Sequence, residues 1–560
     1  MTAYGSGATA FKNQPEPRSI GHLARGRQLV AGNYLFSGHL VEGPGLMIWD
    51  LDPPGPAFEA DIHGCLWLDD LAAVSDGAAR KLAQDWVFGW IKRYGRGSGP
   101  GWSPDITGRR LIRWVNHAVF LLGGKGADST AYFRSVGHQT RFLARCWSKT
   151  SLGLPRIEAL TGLIYAGLSL QGMEEVIAPA TRALGKACTD QISADGTIES
   201  RNPEELLEIF TLLNWAARAL KEAGAYPDPA HEAAMEHIAP VLRTLRHVDG
   251  SLARFHGGGR GLRGRLEEAL GTSSVRADPP RDAAMGYARL AAIRSSVILD
   301  QAPPPGGRAG YNAHASTLAF ELTSGRRPVI VNCGSGRQFG GDWRRAGRAT
   351  ASHSALSLEG YSSSRVAASR RSDDAGDALT DIPNEVLSER RVTERSIRVQ
   401  ASHDGYRRTH GLTHMRTLEL AQDGRELAGA DLLISLSDAD KALFDRKLDE
   451  VSLQGFPFAA RFHLHPDVVA ERGMGGAAIS LTLPSGEVWV FRHDARSTMS
   501  LEASVFLERG RLQPRATQQI VLTGRALGET TRIRWSLAKA QESPLSVRDW
   551  HFDDPLYPED

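Results

Sequence analysis

The chain has 560 residues, with 66 Lys and Arg residues against 64 Asp and Glu residues. That length allows two or three globular domains, and a formal net charge of +2 excludes a general attraction to nucleic acid or anionic membranes. The four cysteines lie far apart without a CxxC spacing, which excludes a thiolate zinc finger and a disulfide-rich scaffold.

Export and membrane signals are missing from the sequence as given. No run approaches the ~18 apolar residues that a membrane-spanning helix needs. The first 26 residues lack the apolar core of a secretory signal. We therefore expect no membrane span and a cytoplasmic location.

The first half of the chain has helical periodicity. Up to about residue 270, apolar residues recur at helical spacing between glycines and prolines. Pro203, followed by Glu204 and Glu205, is a favourable helix start because proline and acids suit the first turn. Helices are predicted over residues 78–94, 108–122, 160–170, 176–192, 203–223 and 231–245. Successive helices without intervening strands predict an all-helical domain over residues 1–275.

The second half alternates with period two. Short apolar runs broken by Gly, Asp, Asn and Pro predict an antiparallel β-sandwich over residues 285–560. The predicted strands include 287–300, 316–322, 329–332, 355–358, 417–420, 458–464, 488–492 and 518–522. Residues 273–284, which are charged and contain proline, form the predicted linker.

Two candidate sites lie in the helical half. Arg201 and Asn202 stand at a predicted helix start, where a carboxylate or sulfate would be stabilised, although capping by Asn202 explains the same residues. Further on, Arg254, His256 and Arg260 surround three consecutive glycines. That loop is either mobile or closely approached by another group, or it is an ordinary glycine-rich turn.

The sandwich half contributes histidines. If residues 312–316 form a strand, Asn312 and His314 share one face with Ser316. His314 and His353 together with a third donor could hold zinc, and buried structural histidines are the alternative.

Further along, His403 and Tyr406 flank Asp404-Gly405, which is read as a turn. His463 and His465 would share a face of a later strand, as metal ligands or as ordinary polar residues.

Several enzyme classes find no support in the sequence. The sequence has no Gly-x-Ser-x-Gly nucleophile elbow and no HExxH motif. Its GxGxxG match at residues 259–264 follows no recognisable strand, so a dinucleotide site is not indicated.

Six segments together resemble the heparinase II/III-like family, over about residues 30–540. The quoted segments are DGTIESRNPE, HVDGSLARFHGGG, YNAHASTLAFELTSGRRPVIVNCGSG, RATASHSALSLEG, HDGYRRTHGLTHMRTLELAQDGRELAGAD and FAARFHLHPDV. The resemblance implies an α+β multidomain fold in which an incomplete α/α toroid precedes an antiparallel β-sandwich. It also implies a polysaccharide lyase that cleaves an acidic, uronate-containing glycan by β-elimination between the two domains.

Site roles follow from the same resemblance. β-Elimination needs a group that neutralises the uronate carboxylate, a base for the C5 proton and an acid for the departing O4. The implied catalytic residues are Arg201, Asn202, His256, Tyr311 and His314. The implied substrate-binding residues are Arg254, Arg260, Tyr287, Asn312, His403 and Tyr406. His314, Asn332 and His353 fall on positions that bind zinc in some members, so a structural zinc is possible and no other cofactor is required.

The sequence departs from the family pattern at four positions. Ile198 and Phe255 replace an expected His and Tyr, and Asn312 and Asn332 replace a His and a metal-binding Asp. These changes motivate a second hypothesis, a non-catalytic acidic-glycan-binding protein on a lyase scaffold. A third hypothesis, hydrolysis by two carboxylates, would draw on acids of the helical half, namely Glu199, Glu204 and Asp249.

The resemblance also bears on partners and location. We expect an acidic polysaccharide or oligosaccharide as partner, no nucleic acid, and a monomer or homodimer. Many relatives work in the periplasm or cell envelope, which is the alternative to a cytoplasmic location.

Overall fold

The computed structural model describes residues 7–540 except 14–15, 20, 125–126, 276–279, 367–377 and 510. Four of the predicted linker residues, 276–279, therefore lie outside the described residues. The division at residues 275 and 285 stays a prediction. No helix in the described ranges is long and apolar enough to cross a membrane.

The first region is helical, as predicted. Its described helices are α1 (Leu23–Val30), α2 (Pro56–Gly64), α3 (Trp67–Val74), α4 (Gly77–Tyr94), α5 (Pro104–Asn116), α6 (Ala118–Leu122), α7 (Ser129–Cys146), α8 (Leu154–Ser169), α9 (Ile177–Gln191), α10 (Pro203–Glu222), α11 (Pro229–Thr244) and α12 (Arg265–Thr272). A small hairpin, β1 (Asn33–Phe36) and β2 (His39–Glu42), follows α1. Proline lies in the first turn of α2, α5, α8, α10 and α11, where its missing N–H costs no hydrogen bond.

Close packing of α5 on α8 organises the helical core. A Cβ built on Gly162 would lie 2.5 Å from Gly108 Cα, so glycine at both positions lets the two backbones touch. The predicted helix over 108–122 is divided at His117, whose backbone leaves the helical region of φ/ψ. His117 Nε2 lies 2.7 Å from the Asp69 carboxylate, a long-range contact that local periodicity does not report.

The second region consists of antiparallel strands. They are β3 (Ala283–Ala284), β4 (Tyr287–Ala292), β5 (Ser295–Asp300), β6 (Phe320–Ser324), β7 (Arg327–Val331), β8 (Leu356–Leu358), β9 (Arg365–Val366), β10 (Leu379–Thr380), β11 (Val386–Val392), β12 (Ser396–Tyr406), β13 (Leu412–Ala421), β14 (Glu426–Ile434), β15 (Phe456–Leu464), β16 (Val469–Gly473), β17 (Ala478–Thr482), β18 (Val488–His493), β19 (Thr498–Phe506), β20 (Arg515–Ala526) and β21 (Thr530–Lys539). Three short helices interrupt them: α13 (Gly341–Gly347), α14 (Arg407–His410) and α15 (Asp438–Glu450). The predicted fold class, helices followed by an antiparallel sandwich, is confirmed.

Two large sheets make up the sandwich. One has the order β11-β12-β13-β14-β21-β18-β17-β16, and the other has β19-β20-β15-β7-β6-β5-β4-β3, with β8 pairing beside β15. Aromatic side chains fill the core between them: the ring of Trp535 stacks on Phe320 and Phe491, with ring centroids 5.7 and 5.9 Å apart.

Residues 312–316 do not form the strand on which a shared face of Asn312 and His314 depended. Residues 307–312 form a 3₁₀ turn, and regular pairing begins only at Phe320. In this segment, side chains donate hydrogen bonds to the backbone carbonyls that a neighbouring strand would otherwise bond. Arg348 Nε donates to Ala313 O at 2.7 Å, and Thr350 Oγ1 donates to Ala315 O at 2.9 Å. The expected shared strand face of Asn312 and His314 is therefore absent.

The interpretation of Asp404-Gly405 as a turn between two strands is also corrected. These residues lie inside β12, where the register against β13 shifts between His403 and Tyr406. A β-bulge of this kind inserts extra residues without ending the strand.

The helical core continues into the sandwich. Met285, Tyr287, Ile298, Ala319 and Ala355 belong to the same hydrophobic cluster as the helices. The two regions therefore share a buried boundary, and the candidate site lies along it.

Candidate functional site

The junction site is the contact between the start of α10 and the loop 246–260 on one side, and β4 to β6 and residues 311–319 on the other. Asn202 is the N-cap of α10, as the capping alternative predicted. Its Oδ1 accepts hydrogen bonds from the backbone N–H groups of Glu204 and Glu205, at 3.0 and 3.2 Å. Arg201 precedes it with φ +50°, a left-handed conformation that costs a residue with a Cβ of order 1 kcal/mol.

Arg201 reaches across the junction instead of into an open cleft. The guanidinium donates to the Asp300 carboxylate at 2.5 Å and lies 4.7 Å from the centre of the Tyr287 ring. Its remaining hydrogen bonds go to four backbone carbonyl oxygens, those of Met285, Gly286, Ala302 and Pro303. A guanidinium has five N–H donors, so these five bonds leave none for a substrate carboxylate.

Asp300, at the end of β5, is fully buried and is a second hub of the junction. Its Oδ2 accepts from Ser316 Oγ at 2.7 Å and lies 3.7 Å from His256 Nε2. Burial lowers the pKa of Arg201, but the attraction of Asp300 outweighs it and the net shift is upward. The Arg201 guanidinium is therefore charged in the folded protein.

Glu321, on β6, links the sandwich to the loop 246–260. Its Oε2 lies 3.3 Å from His247 Nε2 and accepts from the Arg254 backbone N–H at 3.1 Å. Its Oε1 accepts from the Asn332 backbone N–H at 3.4 Å. Two buried acids of the sandwich, Asp300 and Glu321, thus hold two loops of the helical region.

Three histidines form a chain behind these acids. His256 Nδ1 accepts from the His314 backbone N–H at 3.1 Å, and His314 Nδ1 lies 3.0 Å from His353 Nε2. His353 Nδ1 faces Ala349 O at 2.8 Å and must carry a proton to bond it. This assigns acceptor character to His353 Nε2 and a donated proton to His314 Nδ1.

All three imidazoles are neutral. Burial, with help from Arg201, holds the pKa of His256 well below its usual range. Burial and the neighbouring His353 do the same for the pKa of His314, and burial lowers the pKa of His353 to about 4. A general base works best with a pKa near the operating pH, so these histidines are poorly tuned for proton abstraction.

The tyrosines offer no better base. Tyr287 is fully buried, and its hydroxyl donates to Arg201 O at 2.6 Å. Burial raises the pKa of Tyr287 well above 10. Tyr311 is half-buried in the 3₁₀ turn, with the Arg344 guanidinium 4.5 Å from its ring centre.

The glycine-rich loop seals the junction. A Cβ on Gly258 would lie 2.3 Å from Asn202 Oδ1, and a Cβ on Gly257 would lie 3.0 Å from Asn312 Cβ. Gly259 N–H donates to Glu204 Oε2 at 2.8 Å. The close-approach reading of this loop holds, but the neighbour is the protein itself.

The remaining acids and cations of this region are dispersed. Glu204 also accepts from Arg509 Nη1 at 2.9 Å, and Asp249 accepts from Ser251 in its own turn. The buried Arg254 guanidinium lies 4.6 Å from the Phe506 ring centre, while Arg260 is exposed.

His403 and Tyr406 do not reach the junction site. Both are buried inside the sandwich, where His403 Nε2 faces His414 Nδ1 at 3.3 Å and the Tyr406 hydroxyl donates to Leu356 O at 3.1 Å. The structure thus corrects their expected location beside a substrate. Two cavities of about 550 and 560 Å³ both lie on the sandwich and include no junction residue.

The expected zinc positions do not fit a zinc ion. His353 Nδ1 is used by Ala349 O, and Asn332 Oδ1 accepts from the Ser354 backbone N–H at 3.0 Å. That leaves two imidazoles facing each other and a neutral amide, which is a weak ligand. Among the described residues, no group of three or more His, Cys, Asp or Glu side chains is placed to hold a metal ion.

Comparison with known proteins agrees with this architecture. Residues 275–536 match the family model described as "Heparinase II/III-like, C-terminal". Over these residues the chain is similar to the C-terminal domain of heparinase II/III-like proteins. The solved structure of heparinase III superposes with a TM-score of 0.68 at 14% identity, covering 94% of this chain and 87% of that one. A mutant of the heparan sulfate lyase HepC of Pedobacter heparinus superposes at 0.58 and 14%, covering 95% and 86%.

A relative of similar length matches by sequence. FtsZ-localized protein C of Caulobacter vibrioides is 29% identical over 547 residues, which cover 96% of this chain and 91% of that protein. At 14% identity, the structural likenesses show the fold of both regions and nothing about activity.

Sequence reasoning missed Asp300 and Glu321, the two buried acids of the sandwich that contact the helical region at the junction. Asp300 ends the apolar run SSVILD and Glu321 interrupts STLAFEL. A lone acid in an apolar strand is rarely buried without a partner, and this was the available signal. This signal does not identify the cation that pairs with the buried acid.

Proposed function

We propose that this protein is a non-catalytic member of the polysaccharide-lyase fold whose junction site holds the two regions together. The proposal rests on the Arg201 guanidinium, whose five hydrogen bonds all go to the protein itself. The residue best placed by resemblance to neutralise a uronate carboxylate is therefore occupied.

The other chemical requirements support the same reading. Removal of the C5 proton needs a base beside a neutralised carboxylate. Asn202 spends its side-chain oxygen on the α10 cap, and His256 and His314 are buried and neutral. Elimination at this site would require the junction to open.

We further propose that the protein localises with FtsZ in the cytoplasm. This rests on FtsZ-localized protein C, which matches along 96% of this chain, the helical region included. FtsZ is cytoplasmic, so a protein that localises with it works in the same compartment.

Two measurements test these proposals separately. Purified protein is incubated with heparin, heparan sulfate, chondroitin sulfate and alginate while ultraviolet absorbance is followed, since β-elimination leaves a conjugated C4–C5 double bond. An active heparinase III is the positive control. Flat traces are expected, and absorbance that rises with enzyme concentration would overturn the non-catalytic assignment.

The FtsZ proposal is tested by imaging a fluorescent fusion together with labelled FtsZ, and by binding of purified FtsZ to immobilised protein. Co-localisation and direct binding are expected. A diffuse fusion and no binding would refute the FtsZ proposal while leaving the enzymatic question to the absorbance assay.

A lyase acting on an acidic glycan is the second candidate. It is favoured by the proximity of Asn202, His256 and His314 around the glycine-rich loop, and Tyr311 lies at its edge. If absorbance rises, the variant His256→Gln should abolish it, and Arg446→Gln, at an exposed position of α15, serves as the control.

A further inference from the structure

A groove of about 550 Å³ crosses the outer face of the first sheet, on the side opposite the sandwich core. Small side chains line its middle. Thr417 on β13 pairs with Ala430 on β14, and Ala428 on β14 pairs with Ser536 on β21. Because side chains alternate between faces of a strand, these residues form a shallow floor between larger neighbours.

Arginines flank that floor. Arg398 lies on β12, Arg492 on β18, and Arg532 and Arg534 on β21, and all four are exposed. Within the described part of the chain, the guanidinium groups of Arg492, Arg532 and Arg534 make no ion pair or hydrogen bond. Three unpaired cations along one groove favour an anionic ligand.

Glu419 and Asp494, the two acids of the groove, form no ion pair with Arg492, Arg532 or Arg534 and bond other groups. Glu419 accepts a hydrogen bond from Ser396 Oγ at 2.6 Å. Asp494 accepts from the backbone N–H groups of Arg496 and Arg534, at 3.2 and 3.1 Å. Met415 and Leu432 add apolar surface at the lining. A ligand with both carboxylates and apolar side chains fits this surface better than a uniformly polar glycan.

The chain carries such a segment directly after the groove's own strand. Residues 541–560 read QESPLSVRDWHFDDPLYPED and lie outside the described residues. One basic residue, Arg548, stands against six acids: Glu542, Asp549, Asp553, Asp554, Glu559 and Asp560. Apolar side chains are interspersed among the acids: Trp550, Phe552, Leu556 and Tyr557.

The segment is long enough to reach the groove. β21 has ten residues, or about 33 Å at the rise of an extended strand. Twenty residues can span up to about 66 Å when extended, so a chain that reverses after Lys539 can lie along the groove beside Arg532 and Arg534.

We propose that the arginine-lined groove binds the chain's own acidic segment 541–560. A tethered segment has an effective concentration of order 1 mM, so even a micromolar intrinsic affinity keeps the groove filled. An external acidic peptide must therefore displace the chain's own segment before it can bind.

The test uses the full chain and a fluorescent synthetic peptide of residues 541–560. Peptide binding is measured by anisotropy to the natural chain and to the variant Asp549→Asn, Asp553→Asn, Asp554→Asn, whose own segment is weakened. We expect the variant to bind the added peptide at least tenfold more tightly, and salt to weaken that binding. Equal affinity for both chains, or no binding to either, would overturn the proposal.

A second pair of variants locates the site. In the weakened background, Arg532→Glu with Arg534→Glu should reduce peptide affinity more than tenfold, and a peptide with Asp553→Arg and Asp554→Arg should restore it. Arg446→Glu, on the exposed face of α15, is the matched control. If the double variant melts earlier than the control, Arg492→Ala on β18 replaces it.

An acidic glycan is the competing occupant. Heparin oligosaccharide that binds through Arg532 and Arg534, while the peptide neither binds nor competes, would assign the groove to a glycan and refute the intramolecular proposal.

Discussion

The Arg201 guanidinium and the Asp300 carboxylate are joined at 2.5 Å across the boundary between the helical region and the sandwich. Asp300 is fully buried and Arg201 nearly so. Removing one partner of such a pair leaves an uncompensated buried charge, which is strongly destabilising. The pair is thus a fastening between the two regions.

Arg201→Met should lower the free energy of unfolding by about 3 kcal/mol, because the fully buried Asp300 loses its cation. Urea unfolding followed by circular dichroism measures the change. The double variant with Asp300→Asn should recover part of the loss. Arg260→Met, at an exposed position, should change stability by less than about 0.5 kcal/mol, and an Arg201 variant as stable as this control would contradict the fastening.

Gly258→Ala should destabilise the glycine-rich loop, since its Cβ would lie 2.3 Å from Asn202 Oδ1 and 3.2 Å from Phe255 O. The expected loss is about 1–3 kcal/mol, typical of forced overpacking. Gly271→Ala, in α12 with nothing within 4 Å of its Cβ, should instead stabilise by up to about 1 kcal/mol. Thermal melts of the two variants should therefore move in opposite directions.

Zinc should be absent from the purified protein, because Asn332 Oδ1 and His353 Nδ1 are already hydrogen-bonded to the backbone. Metal analysis should find far less than one zinc per chain, and a chelator should leave the melting temperature unchanged. Asn332→Asp supplies the carboxylate that the resemblance expects at this position. In that variant, added zinc should raise the melting temperature, and stoichiometric zinc in the natural protein would contradict this account.

The free energy of unfolding should decrease as the pH is lowered below about 6.5, partly because of His231. Burial lowers the pKa of His231 to about 4 in the folded protein, whereas an unfolded histidine titrates near 6.5. Between these values the unfolded state binds more protons, so the contribution is complete above pH 6.5 and is lost as pH falls toward 4. Between pH 6.5 and 5 the loss is about 1.6 kcal/mol.

The variant His231→Leu should therefore reduce proton uptake on unfolding at pH 5 by about one. The dependence of unfolding free energy on pH measures that uptake. Met235→Leu, a buried substitution in the same helix, removes no titratable group and should leave the slope as it is. An unchanged slope in the His231 variant would show that another group dominates.

The sequence predicted those features that depend on nearby residues. α10 begins at Pro203 as expected, because a proline, two acids and the Asn202 cap act within one turn. The strand ending at Leu464 followed from its alternation. The broad division into a helical and a strand region was also predictable, because it depends on the local spacing of apolar residues.

Features set by distant contacts were not predictable in this way. The alternation of residues 312–316 resembles a strand, yet Arg348 and Thr350 bond its carbonyls from more than 30 positions away. Arg201 was recognised as a special residue, but its partner Asp300 lies about one hundred positions further along. Without that partner, a binding role and a structural role cannot be told apart.

The placement of β21 has a consequence for the order in which the protein can be made. This strand follows all the other described strands in the chain, yet it lies in the middle of its sheet, between β14 and β18. Until it emerges from the ribosome, both neighbours present unpaired edges of the kind that invite aggregation. The helical region can fold during translation, whereas this sheet of the sandwich cannot be completed before β21 is available.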